Sequence, residues 1–217
     1  MTGSRFVYSV VASSLHDQRA VDTLTAPVRG LLDDLGGAVV DLDRDCDDPA
    51  SQPHLFVFAT GVTERLLLDA ITINAAGHPT VLVAHRGHNA LPAALEAMAA
   101  IKQHGGRGRI VSLTGDVTAD RRALDEAIGD LEAVVAMRST RLGVIGGPSS
   151  WLVASSPPPE VVRRRWGPEV VTVEPTRMIE LTRTPVTPTG VLAERFTTVA
   201  DPVRSTVDRQ AVDDAMG

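Results

Sequence analysis

The sequence predicts an α/β fold: a doubly wound, mainly parallel sheet of Rossmann-like or flavodoxin-like type, with a C-terminal helical appendage. Short apolar runs alternate regularly with stretches of helical periodicity, and the connections between them are only a few residues long. Such β-α repetition forces strands into a parallel sheet with helices on both faces. The chain has 217 residues, 43% hydrophobic and 22% charged, enough for one cored domain with an appendage. Residues 1–180 read as the α/β domain and 181–217 as a Thr/Pro-rich linker with terminal helices.

Each element has its own signal. Phe6 to Ala12 is β-branched and aromatic, hence a strand. Val21, Leu24, Val28, Leu31, Leu32 and Leu35 repeat at helical spacing up to Gly36-Gly37, with Pro27 expected to kink or split the helix. Ala38 to Leu42 is a second strand and Asp43 to Pro53 a polar loop. His54 to Thr60 is apolar throughout, as a strand covered on both faces must be. A helix start at Thr60 to Glu64 follows, with a helix to about Asn74 and a stop at Gly77 and Pro79. Thr80 to Ala84 is the fourth strand. Asn89 is a candidate N-cap for a helix carried by Leu91, Leu95, Met98 and Ile101. Arg109 to Leu113 is a strand, Leu124 to Val135 marks a helix, and Leu142 to Ile145 is a sixth strand. A short helix holding Arg163 to Trp166, with the tryptophan as its core anchor, and a strand at Val170 to Val173 precede the linker. Val191 to Phe196 and Thr206 to Met216 complete the chain as helices.

Charge and composition exclude several functions. With 21 basic and 27 acidic residues the net charge is −6, and aromatic residues make up 3%, which suits neither phosphate backbones nor base stacking. No nucleic-acid partner is expected. No apolar run approaches the about 18 residues of a membrane span, and Met1 to Arg5 lacks a signal-peptide layout. Cys46, the one cysteine, allows no internal disulfide, and a cytoplasmic location is expected. Lys102, the one lysine, has neither the glycines nor the hydroxyl of a P-loop beside it.

Other chemistries fail on spacing. The acidic run Asp41, Asp43, Asp45, Asp47 and Asp48 has Cys46 where a calcium loop needs glycine and Gln52 where it needs glutamate. Gly105-Gly106-Arg107-Gly108 precedes a strand, the reverse of a dinucleotide turn. Gly143 to Pro148 resembles a dinucleotide fingerprint only loosely, with Ser149 in place of the third glycine. His85 and His88 could be half of a metal site, but nothing nearby completes the set. Cys46 sits in acid surroundings that disfavour a thiolate, and no serine occupies a nucleophile elbow.

In an open parallel sheet, ligands bind at the carboxyl ends of the strands. The segments expected there are Ser13 to Asp17, Thr60 to Glu64, His85 to Asn89, Thr114 to Asp116 and Gly146 to Trp151. Their hydroxyls, imidazoles, amide and carboxylates, with one indole face, suit a sugar. Helix capping is the alternative role for the Ser, Thr and Asn positions. The substrate-binding candidates are Ser14, His16, Thr63, Glu64, His85, Asn89, Ser149, Ser150 and Trp151; no catalytic residue is assigned.

Three stretches resemble the L-fucose and L-arabinose isomerase superfamily, in its fucose-isomerase-like branch. They are Arg141 to Ser155, with its Gly-Gly-Pro-Ser-Ser-Trp block, Val81 to Pro92, and Ala59 to Glu64. The resemblance spans about residues 5–180 and implies a role in carbohydrate metabolism, the isomerisation of aldoses and ketoses. It implies that His85 stands in the place of a family histidine that reaches the sugar site of an adjacent protomer. It also implies a manganese ion, held by Glu, Asp and His residues of later domains that have no counterpart in this sequence. On this reading the chain binds no cofactor alone and pairs with further copies of itself or with a chain supplying the catalytic half. The alternative is a sugar-binding or regulatory module without catalysis, or an inactive fragment.

Overall fold

The computed structural model describes residues 4–42, 52–71 and 79–183. The described parts of Met1–Thr140 and Pro158–Glu169 form one unit, and those of Arg141–Pro157 and Val170–Gly217 a second.

The first unit is built on five strands: Phe6–Val11 (β1), Gly37–Val39 (β2), His54–Phe58 (β3), Thr80–Ala84 (β4) and Gly108–Ser112 (β5). They pair in the order β2-β1-β3-β4-β5, every pair parallel, with Val7 opposite His54 and Val57 opposite Val83. Four helices pack on this sheet: Gln18–Asp34 (α1), Glu64–Ala70 (α2), Ala90–Gln103 (α3) and Val117–Ser139 (α4). The doubly wound α/β fold legible in the sequence is therefore the fold of this unit.

Strand alternation explains the two covered faces, since successive side chains point to opposite sides. Leu55, Val57, Val81 and Val83 pack with Val28 and Leu32 of α1 and Leu124 and Ile128 of α4. Phe56, Phe58, Leu82 and Ala84 pack with Leu67 of α2 and Ala94 and Met98 of α3. Every residue of β3 is buried as a result. Completely burying a side chain such as Leu32 stabilises the fold by about 1.5–3 kcal/mol.

Pro27 lies inside α1 without splitting it. The proline is on the exposed side, where the carbonyl deprived of its partner meets water. α1 starts at Asp17, whose side chain accepts from the Arg19 amide at 2.8 Å.

The predicted sixth strand exists, Arg141–Ile145 (β6), but it is not part of the five-stranded sheet. It pairs with Glu169–Val173 (β7) in a two-stranded sheet. Between them lies Pro159–Trp166 (α5), and Pro175–Thr182 (α6) follows, a helix with no expectation from sequence. Trp166 is 70% exposed and does not anchor α5 in a core. That task falls to Arg163, which donates to the carbonyls of Arg138 at 3.1 Å and Gly167 at 2.7 Å, closing the ends of α4 and α5. The helices expected over Val191 to Phe196 and Thr206 to Met216, and the acidic loop around Cys46, lie outside the described residues. Among the described residues no helix is long and apolar enough to cross a membrane.

Candidate functional site

The sheet order reverses direction at β1 and β3, so the loops after these strands diverge and leave a crevice at their carboxyl ends. Hydrogen bonds stitch three loops together there. The Ser13 amide after β1 donates to Thr60 Oγ1 after β3 at 2.9 Å. The Gly61 amide donates to the His88 carbonyl, after β4, at 2.8 Å. Gly61 is needed for that approach, because a Cβ on it would lie 2.7 Å from Cβ of Asn89.

A cavity of about 410 Å3 opens at this junction, lined by His16, Asp17, Arg19, Thr23, Thr60 and His88 among others. The His16 and His88 rings stand edge to face with centroids 6.4 Å apart. Both are exposed and make no hydrogen bond to other described residues. Three non-glycine residues of the β3 and β4 loops take left-handed backbone, of which His88 lines the cavity: Val62 at φ 60°, His88 at 53° and Asn89 at 55°. Each such residue costs on the order of 1–3 kcal/mol, a strain that collects at functional loops.

His85 has another part in the site. Its Nε2 lies 3.0 Å from the Ala59 carbonyl, which can only accept, and its Nδ1 takes the Gly87 amide at 3.1 Å. The ring is thereby fixed as the Nε2–H tautomer, with both nitrogens occupied within the unit. It ties the β4 loop to β3.

The β5 loop is organised by Asp120, a buried carboxylate on the first turns of α4. It accepts from the Thr114 amide and hydroxyl, both at 2.8 Å, and from the Gly115 amide at 2.9 Å. Burial pushes this carboxyl upward, but the Thr114 and Gly115 donors and the charge of Arg86 outweigh it and hold it below the ordinary carboxylate range.

The expected site residues are divided between the two units. His16 lines the cavity, and Ser14 is exposed on the same loop. Thr63 is buried, its hydroxyl donating to the Thr60 carbonyl at 2.9 Å, so it shapes the turn from within. Glu64 is half-buried at the first turn of α2. Asn89 occupies the cap position of α3, but its left-handed backbone replaces the extended one of an N-cap and its side chain makes no capping bond. Ser149, Ser150 and Trp151 follow β6 in the second unit; Trp151 is 78% exposed. His88 entered the sequence reading only as half of a metal pair, and Asp17 and Thr60 only within the segments expected at the strand ends; none of the three was a substrate-binding candidate. Only Asp17 had a usable signal, a carboxylate just ahead of a helical pattern.

Among the described residues no three His, Cys, Asp or Glu side chains come together to hold a metal ion. The described residues therefore do not fit the manganese that the resemblance implies. No family model matches the chain and no curated protein matches it.

Proposed function

We propose that this chain is the hydroxyl-binding domain of a fucose- or arabinose-isomerase-like protein, contributing to carbohydrate metabolism by holding a small sugar at its sheet border. The cavity between the β1, β3 and β4 loops carries this reading. Its imidazoles, hydroxyls and Arg19 can donate or accept to several hydroxyls at once. The Asp17 carboxylate and the Arg19 guanidinium at the same opening balance in charge, which suits a neutral polyol.

In this reading the metal and the acid/base pair of an isomerase would come from outside the described residues. The chain's own task is to orient the sugar and limit its access to water. A second copy or a partner chain would face the border. Leu142, Ile145, Trp151 and Val153, large apolar side chains exposed on the second unit, support association with another chain through that unit.

Calorimetric titration of the whole chain with a panel of pentoses and deoxyhexoses, with and without manganese, tests the proposal. A saturable heat with at least one sugar and no isomerisation by the chain alone is expected. The absence of binding across the panel, or turnover by this chain unaided, would overturn it.

A further inference from the structure

We propose that a second cavity, between α1 and the loops after β4 and β5, binds a carboxylate with an apolar body. The cavity has a volume of about 670 Å3, inside the range of roughly 300–1,000 Å3 usual for small-molecule sites. Leu24, Leu31, Leu113 and Val117 give it apolar walls. Val117 is 66% exposed although it opens a helix of the core, an apolar surface left to water.

The charges of the lining select the sign of the ligand. Asp120 is taken up by the Thr114 and Gly115 donors. Asp34 has the Arg121 guanidinium at 3.6 Å. Arg86 is exposed at the same cavity with no hydrogen bond or ion pair to other described residues, its charge acting on Asp120 only at longer range. A guanidinium presents paired N–H donors that match a carboxylate two to two, and beside apolar walls it selects an acid over an alcohol of equal length. The site adjoins the polyol cavity, the two sharing Leu24 and both bordering on the loop from His85 to His88.

Octanoate, 1-octanol and octylamine, titrated into the 15N-labelled chain, distinguish the outcomes. Octanoate is expected to shift the amides of Gly87, Thr114 and Gly115 and to bind about tenfold more tightly than octanol, with octylamine weaker still. Arg86→Gln should bring octanoate to the level of octanol. Gly30→Leu provides a variant that keeps the fold: a Cβ at Gly30 meets no atom within 4 Å, and leucine favours the helix. Its side chain should fill the cavity and abolish octanoate binding while amide dispersion and melting temperature are kept. Octanol binding as tightly as octanoate, unchanged octanoate affinity in Arg86→Gln, or full binding in Gly30→Leu would each overturn the proposal.

Discussion

His85 reaches across from the β4 loop to the carbonyl of Ala59 at the end of β3, 3.0 Å from its Nε2, while the Gly87 amide occupies its other nitrogen. The histidine is thus a strut that fixes the loop carrying His88. His85→Ala leaves the Ala59 carbonyl and the Gly87 amide without these partners, and a loss of about 1–3 kcal/mol in chemical denaturation is expected. His85→Gln, which can still donate to Ala59, should recover part of it.

Asp120 links the β5 loop to acid stability. Its carboxyl holds its proton more weakly in the folded chain than in the unfolded one. Its contribution is therefore complete above the ordinary carboxylate value of about 3.9 and is lost as pH falls through its own lower value. Glu132 acts in the same direction, its carboxyl held down by the hydrogen bond from Arg5 at 2.7 Å. Asp120→Asn should cost about 1.5–3 kcal/mol at neutral pH and flatten the acid limb of a pH–stability curve measured by urea unfolding.

Tyr8 sets the alkaline limit in the same way. Burial and the hydrogen bond to Asp33, at 2.7 Å, push its hydroxyl up to about 12. A group raised in the folded state stabilises fully below its ordinary value, about 10, and its contribution disappears as pH rises through about 12. Tyr8→Phe should lose about 1 kcal/mol near neutrality and remove that part of the alkaline loss.

The second unit's exposed apolar residues bear on association. Val153 is 95% and Trp151 78% exposed. Sedimentation of the whole chain should show a species larger than 23.0 kDa. The double substitution Trp151→Glu and Val153→Glu should return it to the single-chain mass without changing its circular dichroism.

The fold was legible because each buried strand is an unbroken apolar run and each covering helix repeats at helical spacing, as β3 and α1 illustrate. β6 was legible as a strand but not as a member of another sheet, because pairing partners are set by tertiary packing that a local pattern does not encode. Loop residues at strand ends were legible as a group. Their individual roles were not: Thr63 and His85 turned toward backbone carbonyls inside the unit, while His88 came to face His16 through a left-handed backbone that its side chain does not announce.

Sugar binding at the cavity rests above all on the imidazoles of His16 and His88 contacting hydroxyls. Calorimetry with the tightest-binding sugar of the panel, on the whole chain and on His16→Ala, His88→Ala and the remote His104→Ala, tests this directly. Each of the first two substitutions should weaken binding about tenfold, and His104→Ala should leave it unchanged. Equal affinity in all four proteins would contradict the account.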